Sequence, residues 1–506
     1  MSEIRVTYSG LISFIISISS VFTGLVFTLI VTRQLTQEEF GTWSLIGVLT
    51  SYVLVVHPIT TMWVTREIAR GTDSGHTAII STGLFTLFGI VAYVILILII
   101  GSTVNVDLTI LLISVILIPT YFFRNVFASI GYGYKPQWVE YNLLIFELVK
   151  IPLGFGFVYM LDFGITGAIL TIFGATVSSL SYLFIKLRTK LTEEFNAKQL
   201  KKWLKLFWIP TYPQLNRLIY NLDMVIFTLI TGAVGAVAYW GAGNAIAQSV
   251  VHASKINVAL YPKLLGGGKK EIFQENLTRV FYFSFPMFGM AIVFAEPGLF
   301  ALNPLYRDGT TVVFLLVPLV FQFSMVKVFS SVLQGVERID TNEQANFKSY
   351  IKSKLFYIPT LALYQAVGYS ISLLITLWIM NDFVTSEVKM VEIWALVALI
   401  THIPYTSYLF ILVRKEFRPS FAKGSILKYL FSSIFSFGIT YILIQENLIY
   451  KESIFEFLPS LIPYLIFAVG MYLGITLGMD KKTRKLFKSV IKEVKAMTKG
   501  DRNGKK

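Results

Sequence analysis

The stretch IPTYPQLNRLIYNLDMVIFTLITG, residues 209–232, is long enough to cross a bilayer and apolar towards its C-terminal end. Near its middle it nevertheless carries Asn216, Arg217, Tyr220, Asn221 and Asp223. A charge inside a span is costly, so it marks either a function or a buried partner. At 100° per residue Asn216, Tyr220 and Asp223 share a stripe flanked by Pro213, Arg217 and Asn221. Leu215, Leu218, Ile219, Leu222 and Ile226 fill the opposite half. Arg217 lies about 15 Å into the span at 1.5 Å per residue, near mid-membrane. It is about 120° around the helix from Asp223, so the two are not an i,i+4 pair. Each therefore either meets a partner on another helix or lines a polar path.

Further charges fall inside apolar segments. Glu147 and Lys150 stand i,i+3, spaced to pair on one helix face, either as an internal ion pair or as a proton or cation relay. Glu296 precedes Pro297 near the outer end of its segment, where a solvated position is expected. Arg124, Lys255 and Lys327 each sit about two turns from the cytoplasmic end of a span. Singly, such side chains snorkel to the interface. Together, with Arg66 and Lys263 at the helix ends, they point to a cationic vestibule open to the cytoplasm. Arginine there suits bidentate contact with phosphate oxygens, and lysine acts as a point charge. Other chemistries are poorly served. The chain has no cysteine, and its four histidines, His57, His76, His252 and His402, show no metal-binding spacing. GGGKKE at 266–271 lacks the spacing and the Ser/Thr of a nucleotide loop. No cofactor is expected.

The elements that must position these residues follow from composition. The 506 residues are 55% hydrophobic with mean hydropathy +0.67, and only 14% are charged, well below the share of about 25% in soluble chains. With about 20 apolar residues per crossing, fourteen spans are expected, near 9–33, 41–63, 77–101, 107–130, 141–160, 164–186, 207–231, 236–261, 279–302, 311–334, 355–380, 391–413, 426–445 and 457–479. With the N-terminus inside, 35 of the 44 Lys and Arg fall on cytoplasmic segments and four on outer loops. Miscounting one middle helix would invert that asymmetry, and the positive-inside rule therefore supports the topology. Both termini are expected in the cytoplasm of a cell-membrane protein. The net charge of +15 faces cytosol and anionic headgroups, and the tail from Lys481 is basic. Membrane lipid, and not nucleic acid, is the expected partner of that charge.

The chain also repeats itself. VFASIGYG (126–133) and VFSSVLQG (328–335) close spans 4 and 10, and FGTWS (40–44) and VAYWG (237–241) open spans 2 and 8. Offsets of 202 and 197 cover six helices, so the halves have parallel orientation. The expected all-α architecture is a lobe at 1–186, a cytoplasmic linker at 187–206, a second lobe at 207–413, two trailing spans at 414–479 and a basic tail at 480–506.

LIVTRQLTQEEFGTWSLIG resembles the opening of polysaccharide transporters, a first helix followed by a Leu-x-x-x-x-[FY]-Gly turn. NLDMVIFTLITGAVGAVAYWGAGNAIAQ resembles the start of their second lobe. With the spans and the repeat, the chain is similar to O-antigen-type flippases of the multidrug/oligosaccharidyl-lipid/polysaccharide (MOP) exporter superfamily. That resemblance implies two six-helix bundles, alternating access and outward movement of a lipid-linked oligosaccharide. Glycosyltransferases or a polymerase of the same pathway would then be partners. Tyr212, Tyr220, Tyr239 and Trp240 would stack on sugars, or serve in packing and interfacial anchoring. A cation-coupled multidrug exporter would need a carboxylate-dominated cavity, against which five intramembrane basic residues outnumber three acidic ones. A membrane glycosyltransferase or ligase would need acidic catalytic residues, usually on a large outer loop. The expected outer loops are short, and the reading is of a transporter and not an enzyme.

Overall fold

The computed structural model describes residues 23–24, 26–69, 71–104, 106–192, 194–205, 207–251, 270–335, 337, 349, 351–417, 423–481 and 483–484. Among them no strand occurs, and the chain is an all-α, multi-pass membrane protein. Ten helical segments are long and apolar enough to cross a membrane: Gln37–Val56, Gly75–Thr103, Leu108–Tyr134, Gln137–Met160, Gly164–Leu191, Pro304–Gln334, Lys354–Met380, Glu387–Phe417, Lys423–Asn447 and Ile454–Met479. They coincide with expected spans 2–6 and 10–14. Expected span 9 is a helix bent by 63° between Leu277–Val293 and Ala295–Leu302. Pro297 falls in the first turn of the second segment, where its missing N–H costs no intrahelical hydrogen bond, and so favours a new helix start there. Expected spans 1 and 8 lie partly outside the described residues.

In chain order the helices are α1 (Gln37–Val53), α2 (Pro58–Ala69), α3 (Gly75–Thr103), α4 (Leu108–Ile113), α5 (Leu117–Tyr134), α6 (Pro136–Gly154), α7 (Gly164–Leu191) and α8 (Ala197–Lys205). There follow α9 (Trp208–Tyr220), α10 (Leu222–Thr231), α11 (Val234–Ala247), α12 (Lys270–Val293), α13 (Ala295–Leu302), α14 (Thr310–Gly335), α15 (Lys354–Met380), α16 (Glu387–Phe417), α17 (Lys423–Asn447) and α18 (Ile454–Met479). They form two compact units, residues 1–242 with 359–401 and residues 243–358 with 402–506.

Local chemistry sets the helix ends. Thr36 and Glu39 form a capping box at the start of α1: each side chain accepts the other's backbone N–H, at 3.2 and 2.9 Å. Gly232 ends α10 in the left-handed region (φ 67°), which a side chain would resist. Pro152 lies inside α6, and a π-helical turn at Phe155–Met160 follows.

The first unit packs Val64, Ile68, Val126, Phe127, Ile130, Leu183 and Leu187 into one apolar cluster that also takes in Trp203 of α8. The second unit buries Phe300, Phe437, Phe457 and Leu461 around α12, α13, α17 and α18. Beyond α18, Asp480 accepts hydrogen bonds from Tyr429 (2.6 Å), Ser425 (3.1 Å) and the Thr483 backbone (3.0 Å). Burial opposes charge on this carboxyl, but these donors outweigh it and hold Asp480 below the usual carboxylate range. The clamp fixes where the chain leaves α18.

Candidate functional site

The charges of the first unit that the sequence places within spans fall into two groups. On α6, Lys150 donates to Glu147 at 2.5 Å, and Thr23 donates to the same carboxylate oxygen at 2.6 Å. Both charged residues are 6% exposed. The expected i,i+3 pairing is therefore formed. The Lys150 ammonium also lies 5.5 Å from the Phe27 ring and 5.2 Å from the Phe146 ring. The other side of this group is Arg124 of α5, whose guanidinium carbon stands 4.2 Å from the Phe146 ring centroid. Arg124 makes no ion pair among the described residues, and the one carboxylate of this group is held by Lys150.

The second group centres on Asp223. Expected span 7 is two helices, α9 and α10, meeting at Asn221. Asp223 falls in the first turn of α10, where Met224 N–H donates to its Oδ1 at 2.7 Å. Tyr369 of α15 donates to Oδ2 at 2.9 Å, and Trp394 Nε1 of α16 donates to the Tyr369 hydroxyl at 2.8 Å. Tyr220 packs on Tyr369 with ring centroids 4.7 Å apart, and Phe227 and Trp240 pack on Trp394 at 4.9 and 3.8 Å. Asp223 is 7% exposed and makes no ion pair among the described residues. Its oxygens are satisfied by hydroxyl and amide donors. Tyr369 and Trp394 escape a sequence reading because aromatic residues in apolar spans look like packing. Their polar tips are the available signal, since a buried phenol or indole N–H needs a partner.

The remaining residues are more scattered. Arg217 is exposed on α9, makes no ion pair among the described residues, and sits where its charge reaches His57. Asn216 accepts from the Arg217 backbone N–H at 2.7 Å, and Asn221 donates to Ser51 of α1 at 3.1 Å. Arg66 lies on α2. In the second unit Lys327 is exposed on α14. Also there, Glu296 is paired: Arg307 donates to it at 2.7 Å and stands over the Tyr450 ring at 4.6 Å. Lys255 and Lys263 lie outside the described residues. Tyr212 shares a 2.6 Å hydrogen bond with Thr360, and Gln37 donates to Tyr239 at 2.9 Å. All four aromatic side chains thus have partners within the bundle.

The repeat-related segments that open α1 and α11 touch each other. A Cβ on Gly41 would overlap the Val234 carbonyl, and one on Gly241 would lie 2.9 Å from Ser44 Oγ. The glycine of the Leu-x-x-x-x-Phe-Gly turn therefore has a steric reason to be there.

No protein-family model matches the chain, and no curated protein matches it. Solved structures do. The lipid II flippase MurJ in an inward closed conformation aligns over 94% of this chain and 100% of its own, with TM-score 0.62 and 13% identity. An inward-facing multidrug resistance MATE transporter of the MOP superfamily aligns over 78% and 95%, with TM-score 0.58 and 13% identity. The Vibrio cholerae MATE transporter VcmN aligns over 81% and 98%, with TM-score 0.54 and 16% identity. The chain shares the fold of these structures.

Proposed function

We propose that the protein is a flippase that carries a polyprenyl-(pyro)phosphate-linked oligosaccharide from the inner to the outer leaflet by alternating access. The observation that carries this reading is the uncompensated positive charge of the first unit. Glu147 is taken by Lys150, leaving Arg124 and Arg217 without an acidic partner among the described residues. A cation kept within a span needs a counter-charge or a route to water. A phosphate passing through supplies one, and guanidinium groups suit its oxygens. The candidate substrate-binding residues are Arg124, Arg217, Lys150 and Glu147, with Asn216, Tyr220, Asn221 and Asp223 on the broken helix. Arg66, Lys255 and Lys327 are the further basic candidates that the sequence offers. An inside-negative potential drives an anion outward by roughly 2.3 kcal/mol per charge per 100 mV, so such transport proceeds without a nucleotide.

A multidrug exporter of the same fold is the second reading, favoured by one feature: Asp223 among Tyr220, Tyr369 and Trp394 is a carboxylate in an aromatic box, the chemistry that attracts lipophilic cations. Against it, Trp394 and Tyr369 are 0% exposed and the box is filled by its own side chains. Liposomes containing the protein and a labelled polyprenyl-diphosphate glycan decide between the two. Movement of the glycan away from an external glycosidase supports the flippase. Drug-dependent cation flux with a static glycan overturns it.

A further inference from the structure

The segment joining expected spans 6 and 7 is not a slack connection. Lys190 near the end of α7 pairs with Asp73 at 2.7 Å, and the Asn196 N–H donates to Thr77 at 2.9 Å. Asn196 then caps α8, accepting the Gln199 N–H at 3.1 Å. Glu67 near the end of α2 receives two side chains of α8: Gln199 Nε2 at 2.6 Å and Trp203 Nε1 at 3.2 Å. Trp203 is 0% exposed, within the apolar cluster that joins α2, α3, α5 and α7. One side of α8 is thereby fastened to the first unit.

The other side is unpartnered. Lys198, Lys201, Lys202 and Lys205 are exposed and fall within about 100° of arc at 100° per residue. None makes an ion pair among the described residues. Leu204 within α8 and Phe195 and Phe207 just outside its ends are 46%, 43% and 52% exposed. A soluble acidic protein would meet the charges without needing the apolar flank. A membrane surface of anionic lipid meets both at once. The charge distribution along the chain assigns this segment to the cytosolic leaflet.

We propose that α8 is a docking strap for anionic phospholipid: Glu67 clamps it to the bundle while its four lysines engage phosphodiester headgroups and Leu204 and Phe207 reach the acyl boundary. Each lysine strengthens attachment about fivefold. The chain has no native cysteine, so Ala197→Cys carries a single environment-sensitive fluorophore at an exposed position. The full-length labelled protein is compared in nanodiscs of phosphatidylcholine with and without phosphatidylglycerol, with no glycan present. Phosphatidylglycerol is expected to shift the emission to the blue, and high salt to reverse the shift. Replacing the four lysines by glutamine should remove the response, and replacing them by arginine should keep it. Identical spectra in the two lipids would overturn the proposal, as would a shift that survives the glutamine substitutions. A response to soluble diphosphate or an acidic peptide, but not to phosphatidylglycerol, would likewise refute it. The readout needs no transport, so its failure leaves the flippase reading standing, and the reverse holds too.

Discussion

Glu147 and Asp223 are both buried carboxylates on helices of the same unit, and they are satisfied in opposite ways. Glu147 touches an ammonium, and a threonine hydroxyl shares its oxygen. Asp223 touches a tyrosine hydroxyl and a backbone amide. In the first case charge is cancelled where it sits, and removing either partner strands the other. In the second the network is built from neutral donors, and an isosteric amide would keep one of its two acceptors. Neither carboxylate reaches Arg217, and only Glu147 lies in the group that includes Arg124. The surplus of positive charge in this unit follows from that division.

The sharpest way to break the contrast is Glu147→Leu, which leaves Lys150 buried without a counter-ion. A loss of about 3–5 kcal/mol is expected, read as a lower unfolding temperature in detergent. Glu147→Leu combined with Lys150→Met should recover most of it, because an apolar pair of similar volume is often neutral. Tyr369→Phe comes next. It removes the donor to Asp223 and the acceptor of Trp394 Nε1, at a cost of about 1–3 kcal/mol in the same assay. Asp223→Asn should cost about 1–2 kcal/mol, since its single carbonyl can accept from Tyr369 or from Met224 but not from both. A loss as large as that of Glu147→Leu would show that Asp223 has a cationic partner. Arg217→Gln, at an exposed position, should stay within about 0.5 kcal/mol of wild type. Glycan movement between leaflets should nevertheless collapse in that variant.

Much of the fold was legible because the lipid phase imposes long apolar helices, and helical length and loop charge can be read residue by residue. The Glu147–Lys150 pair was legible for the same reason, since i,i+3 spacing is local. The surroundings of Asp223 were not. Its partners stand 146 and 171 positions along the chain, and aromatic residues in a span carry no mark that separates a donor from packing. The break at Asn221 was missed because a turn of helical dihedrals (φ −73°, ψ −2°) needs neither Gly nor Pro. The docking of α8 was hidden likewise: its lysines announce a solvated helix, while Glu67, which holds its other face, lies far back in the chain.

Equilibrium binding of a labelled polyprenyl-diphosphate glycan to the purified protein in nanodiscs measures most directly whether the uncompensated cations await an anion. Arg124→Gln and Arg217→Gln should each weaken binding by about tenfold to a hundredfold, as expected for a hydrogen bond to a charged group, and by more than Asp223→Asn does. Unchanged affinity in both arginine variants, with binding lost in Asp223→Asn, would contradict the account.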